Sequence, residues 1–290
     1  MVTRTTSAIT RAMRHLGWSG VAALFVLICV LALAAAGPPG DPHVMQLRDR
    51  LTPPGGTGRS GTTYLLGTDS LGRDLLSRMI FGCRVSVLVG VLGVSVSFLI
   101  GVPLGLLAGY RGSGLDSICS RLADVQLSIP FLLFAIALMA SVGTGLVQVI
   151  LVLGVARWAV FFRIARADVL SIRNEEYVMA AQALGASNLR IVARHILPNS
   201  ASAMLVAASI GIGDAILAEA GLSYLGLGVP ADMPSWGLIA REGKDYLQVA
   251  WWTSTLPGLG ISTVVLSVSI LGDRLRDFAS PVARKLLGVR

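Results

Sequence analysis

Six stretches of this chain stay apolar for close to the ~20 residues that a helix needs to cross the hydrocarbon core of a bilayer. They run over about 17–36, 85–108, 118–140, 145–162, 200–222 and 255–271. In lipid every backbone N–H and C=O must find its partner inside the protein, so runs of this length fold as helices. Only 14% of the 290 residues are charged and 54% are hydrophobic, whereas a soluble domain carries about 25% charged residues. The fold class is therefore all-α integral membrane, with six transmembrane helices.

The formal net charge of +8 is explained by topology. With both termini inside, sixteen of the 24 Lys and Arg fall on the inner side; the outer eight are Arg48, Arg50, Arg59, Arg73, Arg78, Arg84, Arg241 and Lys244. Such a bias predicts cytoplasmic termini. Arg157 lies inside the fourth span, where it can snorkel. No soluble module carries the charge, so nucleic acid is not an expected partner. Trp18, Tyr110, Trp251 and Trp252 fall at span ends, where amphipathic rings suit the headgroup zone. Cys29, Cys83 and Cys119 show no CxxC or CxxH spacing and predict neither a metal site nor a disulfide. The first span also allows a secretory-signal reading, but its apolar core exceeds the 7–15 residues typical of one, and an uncleaved helix is expected.

Three units are expected: 1–83, a first helix and an outer segment; 84–273, the main membrane domain; and 274–290, a cytoplasmic tail. Within the first, 37–61 is rich in Pro and Gly and reads as loop. Thr68, Asp69 or Ser70 then caps a surface helix with Leu71, Leu75, Leu76 and Met79 on its apolar face.

Small residues recur every fourth position in the second span, at Gly93, Ser97, Gly101, Gly105 and Gly109. The stripe admits close helix packing, either inside this chain or against another subunit. Pro103 and Pro130 predict kinks. In the fifth span, Asp214 and Glu219 either line a polar translocation path or pair structurally with a Ser, an Arg or a backbone group. Arg121 and Asp124 are spaced to pair on one helix face.

The inner loop over 171–199 holds two short helical patterns. Ser171, Asn174 or a neighbour starts the first, in which Tyr177, Val178, Ala181 and Leu184 share a face. Gly185 suits the left-handed position that closes a helix. Ser187 caps a second helix to Leu197, and Pro198 marks a turn into the fifth span. Ala180, Ala181 and Ala183 keep the first helix slim enough for a groove, and Arg190 and Arg194 make the second basic. An amphipathic pair resting on lipid headgroups is the other reading.

At these residues the chain resembles the permease subunits of binding-protein-dependent ABC importers. Their loop motif is Glu-Ala-Ala, three residues, Gly, nine residues, then Ile-x-Leu-Pro. Ala180, Ala181, Gly185, Leu197 and Pro198 fall on it, while Met179 replaces the Glu and His195 the Ile. Gly67-Thr68-Asp69 with Gly72-Arg73-Asp74 and Ser77-Arg78 resembles the segment before the second span in dipeptide, oligopeptide and nickel permeases. The run Glu219 to Gly228 followed by Pro234-Ser235-Trp236-Gly237 is similar to the second, C-type permease of those systems.

The resemblance implies a type I ABC importer permease fold in the bacterial cytoplasmic membrane. It implies a homologous B-type permease, two ATP-binding subunits and an extracytoplasmic binding protein as partners, with membrane lipid around them. The chain lacks GxxxxGK[ST], so no cofactor is expected on it; ATP and Mg belong to the partner ATPases. The loop residues Tyr177, Ala180, Ala181, Leu184, Gly185, Arg190, Arg194, Leu197 and Pro198 become the expected ATPase-coupling element. Di- or oligopeptides are the expected substrates, with nickel chelates, glutathione or haem as alternatives in the same family. An ion-coupled secondary transporter would need more intramembrane ionisable groups or an internal repeat. A membrane-embedded enzyme would need a motif such as HExxH or GxSxG, and neither occurs.

Overall fold

A computed structural model describes residues 2–279, with side chains placed for 17–112 and 114–277. The tail residues Arg284, Lys285 and Arg290 lie outside the described residues, as do the side chains of Arg4, Arg11 and Arg14. Helix α1 (Val2–Ala36) is interrupted at Gly17, whose φ is +63°, leaving 17–36 as its membrane-length part. The other helices are α2 (Leu75–Arg111), α3 (Ser113–Ser128), α4 (Phe131–Val142), α5 (Leu146–Ile172), α6 (Glu176–Ala183), α7 (Asn188–Ile191), α8 (Leu197–Leu225), α9 (Trp236–Gly243) and α10 (Trp252–Ala279). Among the described residues, five helices are long and apolar enough to cross a membrane; α3 and α4, bent by 96°, make a sixth span if taken together. The expected boundaries at 83/84 and 273/274 both fall inside continuous helices, α2 and α10.

The expected kink at Pro130 is a full break. Proline lacks an N–H and disfavours helical backbone in the residue before it, and Ile129 accordingly turns to extended geometry (φ −91°, ψ 130°). The expected surface helix before the second span is instead the first turns of α2, and its cap is Asp74. The Asp74 carboxylate accepts the Ser77 backbone N–H at 2.9 Å and the Ser77 hydroxyl at 2.5 Å. Asp69 makes a turn, accepting the N–H groups of Leu71 and Arg73.

Helix α5 packs along α2, and the small-residue stripe is the seam. The Ser97 hydroxyl donates to the Gly154 carbonyl at 2.9 Å, and a Cβ at Gly101 would lie 2.8 Å from Phe161 Cβ, one at Gly105 2.7 Å from Ala165 Cβ. Of the two readings of Gly93, Ser97, Gly101, Gly105 and Gly109, packing within the chain holds. Close backbone approach is what drives helices together where lipid removes the hydrophobic contrast.

Four apolar clusters fill the bundle among the described residues, and two of them frame the site. The outer one joins α2, α4, α5 and α8 through Val89, Met139, Leu153 and Leu222. The inner one joins Leu106, Val169 and Met204 to Val178 of α6 and Ile191 of α7. Helix α1 lies against α10, and the Arg84 guanidinium caps its last turn by donating to the carbonyls of Ala34 and Ala35.

The outer segment is a built module. A two-stranded ribbon, β1 (Gly56–Thr57) and β2 (Thr63–Tyr64), sits over the buried Asp49. The Asp49 carboxylate accepts the Ser60 hydroxyl and N–H and the Tyr64 hydroxyl. Trp252 is not interfacial: it is buried and donates to the Thr68 carbonyl at 3.1 Å. Of the four expected belt residues, Trp18 and Trp251 are exposed, and Tyr110 hydrogen-bonds Asn188.

Candidate functional site

The inner loop begins where α5 ends. Arg173 and Asn174 turn the chain, and Glu175, the neighbour of Asn174, takes the N-cap position of α6 with no side-chain bond to the helix. Gly185, at φ +82°, closes the helix with two bonds: its own N–H to the Gln182 carbonyl and the Ala186 N–H to the Ala181 carbonyl. This is the Schellman arrangement, and it requires the left-handed conformation that glycine adopts without strain. No atom lies within 4 Å of a Cβ built there, so conformation alone selects the glycine.

The expected shared face is split. Val178 is fully buried and Ala181 half-buried, whereas Tyr177 is exposed and Leu184 is 89% exposed. An eight-residue helix can turn only one narrow side to the bundle, and Val178 takes it. Ala180 faces solvent. Leu189, 79% exposed, stands with Leu184 at the tip of the loop.

The second helix does not stop at Pro198. Asn188–Ile191 runs through a π-helical turn, Val192–Ile196, directly into α8. The Leu197 N–H bonds the Val192 carbonyl five residues back. Proline at 198 cannot donate and would crowd the Arg194 carbonyl in an α register; the wider turn absorbs the mismatch. Ser187 occupies the N-cap position with no side-chain bond to the helix. Arg190 and Arg194 are exposed; His195 lies 6.1 Å from the Tyr177 ring, and Asn199 donates to the Tyr177 hydroxyl at 3.3 Å. A cleft of about 680 Å³ opens between α2 and this loop, lined by Tyr110, Arg173, Met179, Gln182 and Asn188 among others. Met179, at the motif's acidic position, is thus part of its wall.

The two intramembrane acids separate. Asp214 is paired with Arg157 of α5 at 2.8 Å, and the guanidinium lies 4.7 Å from the centre of the Phe131 ring. Glu219 is 0% exposed. It accepts the Ser86 hydroxyl at 2.9 Å and the Ser223 hydroxyl at 2.6 Å, binding α2 to α8. An enclosed carboxylate whose oxygens already hold hydroxyl donors does not line an open path, so the expected path role of Glu219 is corrected to a structural one. Asp124 pairs with Arg163 of α5 at 2.5 Å rather than with Arg121, and Asp116 pairs with Arg166. Both pairs tie α3 to α5.

By sequence, Arg157 is a snorkelling residue and Arg73 and Arg78 are outer-side charges. Arg73 and Arg78 are buried. Asp69 accepts from both at 2.6 Å, and Glu242 of α9 accepts from them at 2.7 and 2.6 Å. The signal for Arg157 was present: a cation and an anion inside apolar spans are expected to pair. Glu242, 164 residues from Arg78, gave no such signal.

A bundle of membrane-length helices with a capped helix keyed into its inner core defines a multi-pass membrane component. The chain belongs to the family of binding-protein-dependent transport system inner membrane components, which matches residues 101–285. It is 40% identical, over 89% of its length and 85% of the relative's, to the di/tripeptide transport system permease protein DppC of Pseudomonas aeruginosa. It is also 40% identical to the oligopeptide transport system permease protein OppC of Bacillus subtilis, over 77% of this chain and 73% of that protein. Among solved structures it is similar to the inward-facing MetNI methionine ABC transporter, with a TM-score of 0.57 at 20% identity over 69% of this chain and 94% of that one. That likeness concerns the fold.

Proposed function

We propose that this chain is one permease half of an ATP-driven importer of di- or oligopeptides, coupled to its ATPases through residues 177–199. The observation that carries the reading is the construction of α6. Its C-cap Leu184 and Leu189 of α7 are exposed, while Val178 and Ile191 are fixed in the cluster that holds α2, α5 and α8. A helix built this way transmits a displacement of its tip to the inner ends of α5 and α8, because a close-packed core moves as a unit. Closure of two ATP-bound partner subunits would pull those ends together and turn an inward-open path outward, and hydrolysis would reset it. ATP and Mg²⁺ act on those subunits.

In this reading α3 and α4 together form one span, giving six, with both termini in the cytoplasm and α1 retained. A homologous B-type permease completes the path, and an extracytoplasmic binding protein delivers the substrate. The names of the relatives at about 40% identity support peptides over nickel chelates, glutathione or haem, and nothing in the membrane interior supports ion coupling over ATP.

The test is the assembled complex. Gly185→Val, which forces a β-branched residue to φ +82°, and Ala181→Asp should both abolish substrate-stimulated ATPase activity while membrane insertion stays intact. Full coupling in both variants would overturn the role of the loop. Identifying the ligand that co-purifies with the binding protein tests the substrate class.

A further inference from the structure

Three features that the coupling role leaves unused meet at one depth. Arg157 lies eleven residues from the outer end of α5, and Asp214 eleven residues from the outer end of α8. Phe131, whose ring carries the Arg157 guanidinium, lies eleven residues from the outer end of α4. At 1.5 Å per residue these positions are ~17 Å below the helix ends, close to the middle of a hydrocarbon core ~30 Å thick.

The pair is not enclosed by this chain: the Asp214 side chain is 50% exposed and that of Arg157 23% exposed. Beside it the helix is broken, and Ser128, Ile129 and Pro130 are exposed as well. Neither an exposed ion pair nor non-helical backbone is tolerated against lipid; each is either covered by other protein or lines a water-filled cavity.

We infer that Arg157 and Asp214, with the α3–α4 break, form a zwitterion-recognising station in the translocation path, where the two charged ends of a peptide exchange with the two charges of the ion pair. This rests on the peptide-importer reading. Arg157 offers a planar fork of donors matched to a terminal carboxylate, and Asp214 offers acceptor oxygens to a terminal ammonium. The two protein charges satisfy each other at 2.8 Å when no peptide is present, so neither is left unpaired in the empty path. Exchange needs no proton transfer. Phe131 holds the guanidinium by its face and keeps it at the break when Asp214 lets go.

The experiment uses the complete permease–ATPase complex in detergent without its binding protein, in a chain carrying Cys29→Ala, Cys83→Ala and Cys119→Ala. Ser128→Cys places a thiol three residues before Phe131 and leaves the ion pair intact; Asp214→Cys is the second probe. Both should react with a small charged thiol reagent. A free dipeptide should slow labelling at Ser128→Cys by about threefold when it occupies roughly two-thirds of the sites. The same dipeptide acetylated at its N-terminus and amidated at its C-terminus should not, and Arg157→Gln should abolish the protection.

Silence at both probes would put this face against the second permease or lipid and overturn the station. Equal protection by the blocked peptide would overturn recognition of the termini. If the unmodified complex with its binding protein imports no peptide, the parent reading fails first, which that uptake control detects separately.

Discussion

The outer segment and the inner loop are both short, irregular excursions from the same bundle, and they are built on opposite plans. In the outer module the polar groups turn inward. Asp69, Arg73, Arg78 and Glu242 form a closed ring of opposite charges, and Asp49 collects Ser60 and Tyr64 beneath a small ribbon. In the inner loop apolar groups turn outward at Leu184 and Leu189, while Val178, Ile191 and Ile196 hold it to the core. The first plan fixes one geometry. The second leaves a surface for something else to cover. In the proposed reading, the first plan serves the side that receives substrate and the second the side that an ATPase would move.

That contrast can be broken first at Arg78. It is buried and contacts both carboxylates of the ring, so Arg78→Ala should leave Asp69 and Glu242 under-compensated and cost ~3–5 kcal/mol. The expected readout is a lowered melting temperature of the purified complex and early proteolysis between 37 and 74. A pair of left-handed glycines comes next. Gly72 and Gly185 have similar φ, +74° and +82°, but a Cβ at Gly72 would collide with the Gln46 carbonyl, whereas one at Gly185 meets open space. Gly185→Ala should cost about 1 kcal/mol from backbone strain alone, and Gly72→Ala clearly more. Equal melting shifts would refute the distinction.

Leu184→Asp should change stability by no more than about 0.5 kcal/mol, as surface substitutions do, yet remove substrate-stimulated ATPase activity. Retained coupling would mean that the exposed tip is not what the ATPase grips.

The smallest expected effect is a pH dependence confined to the outer module. The Ser60 hydroxyl, against the opposing effect of burial, holds the Asp49 carboxyl below its ordinary 3.8, with the Ser60 N–H and the Tyr64 hydroxyl adding to it. A depressed folded pKa means the ionised form is favoured by folding, so this contribution is complete above ordinary carboxylate titration and is lost as pH falls through the folded value. Protease protection of 37–74 should decline below about pH 4, and Asp49→Asn should flatten that decline.

Much of the coupling loop was legible before any fold was known. Gly185 announced a helix end because few other residues tolerate its conformation, and the alanines around it announced a slim helix. What misled was Pro198, whose missing N–H reads as a stop. The stop is avoided by a π turn, a solution that depends on α8 being held in place by the bundle on the far side. The outer ring was not legible at all. Arg73 and Arg78 look like topological charges until Glu242, brought in by α9, buries them.

What the sequence determined by itself is whatever follows from local chemistry: that the chain crosses a membrane repeatedly, where its apolar spans lie to within several residues, and that a capped helix hangs between two of them. Apolar length and backbone conformation are properties of a segment, so they survive ignorance of its neighbours. Partnership was decided only by the tertiary structure. It assigned the glycine stripe to α5, enclosed Glu219 behind Ser86 and Ser223, and set Asp214 opposite Arg157 beside a broken helix. Each of these depends on which helix comes within a few ångströms of which, and in a bundle packed by close contact that is settled by the whole set of helices at once.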